Sequence, residues 1–313
     1  MLKESLKTPV LLIAFNRPEL TSRVFNQIRR AKPEKLYFAV DGPRMDRPYD
    51  FERCDEVKKL VKQVDWQCEV MTMFSDKNLG CKFGPYSAMK WFFENVEDGI
   101  ILEDDALPDM SFFYFCEELL LKYKNDDRIA SISGNNFQFG RNKTGDSYYF
   151  SHFSHTCGWA TWRRAWKEYD LEIKNWPKLK STKWLKSIFK KLPVRLYWTL
   201  IFNAVYSGRM DSAWDYQWTF MVWTKKYLSI IPSQNLILNI GFGSEDATHT
   251  KRKSKLSEIS VEQMHFPLKH PEIIKRNIKA DDFTQKNNYV LWKEIGVEIA
   301  KWLGKKVLKK QQV

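Results

Sequence analysis

The chain lacks any uninterrupted run of roughly 18 apolar residues, the length that a membrane-spanning helix needs. The nearest approach, residues 194–206, is shorter and contains Arg195 and Asn203. The N-terminus also lacks a signal-peptide pattern, because its short apolar stretch runs directly into a polar turn. The sequence therefore predicts a cytoplasmic protein without a membrane-spanning helix.

Cysteine is scarce, and its spacing is not that of a metal site. Five cysteines, an odd number, are spread over the chain without a CxxC pair. This spacing argues against a disulfide framework or a zinc site and predicts reduced thiols. Internal repeats and low-complexity linkers are absent as well, so the 313 residues predict one large α/β domain or two smaller ones.

Acidic residues are unevenly distributed along the chain. Residues 1–162 hold 24 Asp and Glu against 22 Lys and Arg, a net charge of −2, whereas residues 163–313 hold 14 against 29, a net charge of +15. This asymmetry predicts a polyanionic partner, either nucleic acid or an anionic membrane face. No RNP, KH or zinc-finger signature is present, so we expect no nucleic-acid partner.

The first half of the chain alternates strand and helix patterns. Strands connected by crossover helices form a mainly parallel α/β sheet with right-handed connections, of Rossmann-like type. Apolar runs typical of strands cover residues 9–14, 36–40, 68–74, 99–102 and 129–133. Helical spacing covers residues 19–31, 55–64, 84–96 and 110–123.

The second half is less regular and richer in lysine. A tryptophan-rich helix is predicted over residues 211–227, and an amphipathic helix ending in a lysine cluster over residues 288–310. Residues 183–206 interleave lysine with large apolar side chains. Two interpretations of the basic segments stay open: they bind an anionic membrane surface, or they pack on the core with a solvated lysine face.

The most informative motif follows the predicted strand at residues 99–102. Glu103, Asp104 and Asp105 come directly after an apolar, β-branched run. Such a strand delivers carboxylates to its C-terminal tip, where open α/β sheets bind ligands. Clustered carboxylates suit Mg²⁺ or Mn²⁺ and, through the metal, a phosphate. The alternative is a solvated acidic turn.

Two other predicted strands end in polar residues that should lie on the same sheet edge. Arg17 follows the first strand and can stack on a base or hold a phosphate, although it can also cap a helix or pair with Glu19. Asp41 follows the second strand and can accept a hydrogen bond from a nucleobase or a ribose. The alternative for Asp41 is a plain turn.

With these motifs, the chain resembles GT-A nucleotide-sugar glycosyltransferases, in particular N-acetylglucosaminyltransferase I and bacterial relatives of surface-polysaccharide synthesis. The resemblance covers roughly residues 9–250. It implies a GT-A fold with a donor-binding half (1–162), an acceptor-binding half (163–255) and a basic helical extension (256–313). The residues that carry it lie at positions 11–18, 39–42, 101–105, 133–136, 158–162, 214–215 and 241–249.

The resemblance also implies a role for each motif residue. Asp105 would be the direct ligand of Mn²⁺ or Mg²⁺, Asp104 would contact the ribose or sugar of a UDP-sugar, and Glu103 would support the donor sugar. The remaining donor contacts are implied for Asn16, Arg17, Asp41, Gly158, Trp159 and His249. The pair Gly158-Trp159 would form the floor of the sugar pocket, although a core tryptophan is an equal alternative.

An inverting transfer needs a general base for the acceptor hydroxyl, and the resemblance implies Asp215. The family has Trp-Asp-Asp-Trp here, whereas this chain has Trp-Asp-Tyr-Gln-Trp at residues 214–218. We expect the aromatic neighbours to bury this carboxylate partly and raise its pKa. An N-cap role is the alternative, and rival bases are Asp211, Glu245 and Asp246.

The expected function is metal-dependent inverting transfer from a UDP-sugar to a glycan or a lipid-diphosphate-linked acceptor. The enzyme would work in the cytoplasm, peripherally on the inner membrane if the basic helices bind lipid. The C-terminal helix would otherwise support a homodimer. A sugar-phosphate nucleotidyltransferase is the enzymatic alternative, although such enzymes place a glycine-rich loop where this chain has Phe-Asn-Arg-Pro.

Overall fold

The protein is a mixed α/β structure built on one large sheet. A computed structural model describes residues 5–141, 145–243 and 259–289. Among these residues, eight strands form the main sheet in the order β3-β2-β1-β4-β8-β6-β9-β7. The strands are β1 Val10–Ala14, β2 Lys35–Val40, β3 Glu69–Phe74, β4 Asp98–Glu103, β6 Ile129–Ser133, β7 Tyr148–Ser151, β8 Trp159–Trp162 and β9 Leu228–Pro232.

Most neighbouring strands are parallel, as the alternating pattern predicts. Strand β1 pairs in parallel with β2 and β4, with Ile13 opposite Glu103 in the β4 register. Strand β8 runs antiparallel between β4 and β6, and β7 runs antiparallel to β9. A Rossmann-like α/β fold is therefore confirmed, with two antiparallel strands that the sequence patterns did not predict.

Helices cover both faces of the sheet, which explains why the central strands are apolar throughout. One face packs on α1, α2 and α4, and the other packs on α3, α5, α8 and α9. A 3-10 helix over Leu60–Gln63 follows α2. The helices are α1 Pro18–Ala31, α2 Tyr49–Lys59, α3 Gly80–Asn95, α4 Met110–Lys122, α5 Arg163–Trp166, α6 Trp176–Lys180, α7 Trp184–Ile188, α8 Leu192–Tyr206, α9 Asp215–Thr224 and α10 Ile278–Asn288.

A small second sheet lies beside the acidic motif. Strand β5, Ala106–Pro108, begins one residue after the acidic triplet and pairs antiparallel with β10, Ile237–Asn239. The amide of Ile240 also donates to the carbonyl of Asp105 at 2.8 Å. The backbone of the triplet is thus held between the main sheet and this small one.

A buried ionic cluster fastens α10 to the edge strand β7. Asp281 is 1% exposed and accepts hydrogen bonds from Ser151 at 2.5 Å and from Arg276. Arg276 also contacts Nε2 of His152 at 3.0 Å, so the histidine accepts while the guanidinium donates. We call these four residues the Asp281 clamp. Burial, with the nearby Arg276 charge, lowers the pKa of His152 well below its usual value.

Two predictions about the second half have different outcomes. None of the helices that the structure describes has the length and hydropathy needed to cross a bilayer. The predicted helix over residues 288–310 lies almost wholly outside the described residues, so the dimer prediction that rests on it stays a prediction. The division at residues 162 and 255 also stays a prediction, with β9 continuing the main sheet beyond the first boundary.

Candidate active site

The candidate site lies where the strand order of the main sheet reverses. The chain proceeds outward from β1 to β2 and β3, then returns to place β4 on the other side of β1. A crevice forms outside the carboxyl ends of strands at such a switch point. Arg17 follows β1, and Glu103, Asp104 and Asp105 form the end of β4 and the turn after it.

Arg17 binds two of the three acidic side chains. Its Nε donates to Asp104 Oδ2 at 3.1 Å, and its Nη2 contacts the other oxygen of the same carboxylate. Its Nη1 donates to Asp105 Oδ2 at 3.2 Å. Arg17 is the residue before α1, and Pro18 at the first helical position fixes where that helix begins. Arg17 therefore pairs with Asp104 and Asp105 and not with Glu19, and at the N-cap position of α1 its side chain makes no capping hydrogen bond.

We call Arg17 with Glu103, Asp104 and Asp105 the acidic corner. It contains three carboxyl groups and one guanidinium. Burial, together with the nearby carboxylates of Asp105 and Asp104, raises the pKa of Glu103 to about 8 against the opposing charge of Arg17. Burial likewise raises the pKa of Asp105. One guanidinium therefore does not neutralise three carboxyl groups, so the corner favours an additional cation or proton.

Gly241 and Asn239 complete the corner, and the motif reading did not assign them roles. A Cβ atom on Gly241 would lie 2.4 Å from Asp105 Oδ2, so only glycine leaves room for that carboxylate. Asn239 accepts from the Gly241 amide at 2.9 Å and contacts the Cys157 thiol at 3.6 Å. Burial and the neighbouring acids raise the pKa of Cys157 well above its usual value, so its thiol is uncharged. Pairing of β10 with β5 brings these residues together, and no local sequence pattern signals that pairing.

Asp215 lies at the first position of α9. Its charge acts electrostatically on Glu103 and on the partly buried Tyr169 and Tyr289. The side chain is exposed, so the expected partial burial is wrong. Trp214, rather than Asp215, occupies the N-cap position, with its carbonyl bound by Tyr169 at 2.9 Å.

Asp41 and Asn16 have partners within the chain. The Asp41 carboxylate accepts from the backbone amides of Leu79 at 2.8 Å and Gly80 at 3.0 Å, which are orphan donors at the start of α3. Asn16 donates to the buried Asp50 at 2.6 Å. Both residues lie at the predicted sheet edge, and both support its loops, so a nucleotide contact for either stays a prediction.

Trp159 begins strand β8 at the same edge, and Gly158 directly precedes it. Trp159 is 1% exposed and packs between two other tryptophans. Its ring centroid lies 5.8 Å from that of Trp214 and 4.9 Å from that of Trp218. The structure thus favours the core alternative over a pocket floor open to a sugar. Gly158 has φ +69°, and a Cβ atom there would lie 2.6 Å from Ile237. His249, Glu245 and Asp246 lie outside the described residues.

The acidic corner has the chemistry of a hard-cation site that is completed by a ligand. Among the described residues, no group of three or more His, Cys, Asp and Glu side chains is arranged to hold a metal ion by itself. Mg²⁺ and similar ions are often bound by one or two carboxylates together with phosphate oxygens and water. Asp105, whose carboxylate lies in the excess negative charge, fits that pattern as the protein ligand.

Comparison with known proteins gives no family. No protein-family model matches the chain, and no curated protein matches it. Two solved structures are similar in part: HddC from Yersinia pseudotuberculosis and a cytidylyltransferase from Leptospira borgpetersenii serovar Hardjo-bovis (strain JB197). The first is 10% identical over 55% of this chain and 86% of that chain, with a TM-score of 0.34. The second is 13% identical over 56% and 72%, also with a TM-score of 0.34, and neither similarity is sufficient to transfer an activity.

Proposed function

We propose that the chain is a nucleotide-sugar transferase that moves a sugar from a nucleoside-diphosphate sugar, such as a UDP-sugar, to a hydroxyl of a glycan or lipid-linked acceptor. The observation that carries the proposal is the acidic corner, where Asp104 and Asp105 share one guanidinium at a strand switch point and the Glu103 carboxyl group lies beside them. That edge is where open α/β sheets bind nucleotides. The GT-A resemblance of the motifs supports the same assignment.

The charge of the acidic corner makes a divalent cation part of the proposal. A diphosphate would be repelled by the excess carboxylates, whereas a cation between them is attracted to both. Asp105 would hold Mn²⁺ or Mg²⁺, and the diphosphate and water would supply the remaining oxygens. When bound, the cation stabilises the charge that develops on the departing diphosphate.

The protein's own side chains then orient the donor and accept a proton. Arg17 fixes Asp104 through two parallel contacts, which leaves that carboxylate rigid beside the donor site. Asp215 is exposed and its charge acts on Glu103, so we place the acceptor hydroxyl within its reach. As general base, Asp215 would take the hydroxyl proton while the acceptor oxygen bonds to the anomeric carbon. A single displacement of this kind inverts the configuration.

Sugar-phosphate nucleotidyl transfer is the second candidate. One of the similar structures is a cytidylyltransferase, an enzyme that transfers a nucleotidyl group. Against it, the loop after β1 contains Phe15, Asn16 and Arg17 instead of a glycine-rich phosphate loop. The two candidates use the same sheet edge and differ in the bond broken, so their products separate them.

The test is a product assay with Mn²⁺ across UDP-, GDP-, dTDP- and CDP-sugars and, separately, nucleoside triphosphates with sugar phosphates. The proposal expects release of a nucleoside diphosphate and no pyrophosphate. Asp215→Asn should lower transfer by about 100-fold or more and leave donor binding unchanged. The matched control is Asp211→Asn, also exposed and four positions earlier, which should retain activity. Pyrophosphate release would favour the second candidate, and an unaffected Asp215 variant would remove Asp215 as the base.

A further inference from the structure

The segment from α6 to α8 exposes an apolar stripe that the core does not use. Helix α8 buries one face, including Trp198 and Phe202. On its outer face Leu192, Leu196 and Leu200 are 57%, 47% and 40% exposed. Their spacing of four residues places them on one side of the helix. Contiguous exposed apolar side chains with polar residues around them mark interaction surfaces.

Basic side chains surround this stripe without acidic ones. Between Glu172 and Asp211 the chain contains no acidic residue at all. An open groove of about 370 Å³ between α7 and α8 is lined by leucines together with Lys183, Lys186 and Arg195. The exposed lysines of this segment, apart from one at position 174 that pairs with Glu172, are Lys178, Lys180, Lys183, Lys186, Lys190 and Lys191.

The aromatic residues of the same segment point the other way. The ring centroids of Trp184 and Phe220 lie 5.4 Å apart, and Phe189 stacks on Trp198 with ring centroids 6.4 Å apart. The apolar side chains of residues 183–191 therefore pack against the core, whereas Leu192, Leu196 and Leu200 of α8 remain exposed. Leucine and lysine thus reach solvent on one surface, which we call the Leu-Lys face.

We propose that the Leu-Lys face docks on an anionic phospholipid membrane surface. Leucines enter the boundary between headgroups and acyl chains while lysines contact anionic headgroups, which is the pattern of interfacial helices. A second copy of the chain is disfavoured because a two-fold contact through this face would bring the lysines together. A nucleic-acid backbone would use the lysines but leave the leucines in water. Binding lipid through this face is independent of the transfer reaction.

The test is flotation of the full chain with two kinds of vesicle, one of phosphatidylcholine and one in which about a third of the lipid is phosphatidylglycerol. We expect strong binding to the anionic vesicles alone, weakened by salt. Lys183→Glu/Lys186→Glu should lower partitioning by at least about 30-fold, since each lost basic residue contributes roughly fivefold and each new glutamate adds repulsion from the anionic surface. Leu196→Ser/Leu200→Ser should lower it by about tenfold.

The matched control is Lys59→Glu/Lys62→Glu, which makes the same change in net charge on exposed residues at the end of α2 and in the 3-10 helix that follows it. It should change partitioning by less than about threefold, and all variants should keep the wild-type circular dichroism spectrum. Equal binding to both vesicles, or an equal loss in the control, would overturn the proposal. It would also be overturned if Leu196→Ser/Leu200→Ser dissociated a dimer, or if bulk RNA bound equally well to wild type and that variant.

Discussion

Two arginine–carboxylate clusters of this protein look alike locally and differ in charge balance. In the Asp281 clamp one buried carboxylate meets one guanidinium, a serine hydroxyl and a neutral histidine. In the acidic corner one guanidinium meets Asp104 and Asp105, with Glu103 beside them. The first cluster is saturated by its own chain, and the second is not.

This difference in charge balance indicates that the Asp281 clamp stabilises the fold, whereas the acidic corner favours binding of a cation. A buried ion pair is costly to break because the remaining partner keeps an uncompensated charge. A cluster of like charges is instead relieved when a cation enters or a carboxyl group is protonated. The clamp joins α10 to the sheet edge, whereas the acidic corner lies at the open end of β4.

The largest expected effect comes from removing one charge in each cluster. Asp105→Asn should lower metal-dependent transfer by about 100- to 1000-fold while leaving the free energy of unfolding unchanged or slightly higher, because it removes a repelling carboxylate. Asp281→Asn should show the reverse pattern, with lower stability and near-normal turnover below its melting temperature. Initial rates and thermal melts of both variants give the comparison. Loss of stability in both variants with equal loss of activity would erase the distinction.

Removing the clamp carboxylate altogether should cost the next largest amount. Asp281→Ala leaves Arg276 and Ser151 without their acceptor and should lower the free energy of unfolding by about 3 kcal/mol. The control is Asp65→Ala, which breaks the surface pair with Arg29, whose two side chains are 43% and 55% exposed. That change should cost less than about 1 kcal/mol. Urea unfolding of the two variants measures the difference, and equal values would refute a structural role for the clamp.

The strands and these two clusters show which features local sequence patterns predict and which depend on contacts between distant residues. The strand Ile129–Ser133 has the bounds that its apolar run predicts, because a strand that is buried along its whole length needs little else. Strand β8 was missed because its four residues follow a glycine and run antiparallel, with both flanking contacts contributed by distant strands. The acidic triplet was recognised locally, yet its pairing with Arg17 spans 87 residues and requires the sheet. The clamp joins residues 130 positions apart, without any motif.

Acid should destabilise the protein through its buried histidines. Burial lowers the pKa of His155 to about 3, and burial with the Arg276 charge lowers the pKa of His152 well below its ordinary value. The unfolded chain takes up these protons below pH about 6.5 while the folded chain does not, so stability falls as pH drops from there towards 3. Between pH 7 and pH 5 the unprotonated His155 should lower the free energy of unfolding by about 2 kcal/mol.

His155→Phe isolates one of these contributions. Between pH 7 and pH 5 the free energy of unfolding of this variant should fall by about 2 kcal/mol less than that of the wild type, because phenylalanine does not titrate. The new ring can pack on Phe137, whose ring centroid lies 4.2 Å from that of His155. The exposed His265→Gln variant serves as the control and should follow the wild-type curve. Equilibrium unfolding in urea at a series of pH values provides the data. Identical pH slopes for all three proteins would contradict the assignment.

The smallest effect expected is a stabilisation by metal that only the acidic corner shows. Mn²⁺ with UDP, each at about ten times its dissociation constant, should stabilise the wild type by at least about 1.4 kcal/mol. Asp105→Asn should lose the part that Mn²⁺ contributes, whereas Asp281→Asn should retain it from a lower starting stability. Thermal melts with Mn²⁺ or with EDTA measure these shifts. An equal Mn²⁺ shift in both variants would place the metal elsewhere.

Calorimetric titration of UDP into the full chain, with Mn²⁺ and then with EDTA, tests the central claim most directly. The unbalanced charge of the acidic corner predicts that UDP binds at least about tenfold more tightly with Mn²⁺, and that Asp105→Asn abolishes this difference. Equal affinity in EDTA, or a metal effect that survives in Asp105→Asn, would contradict the assignment of the acidic corner as the metal and nucleotide site.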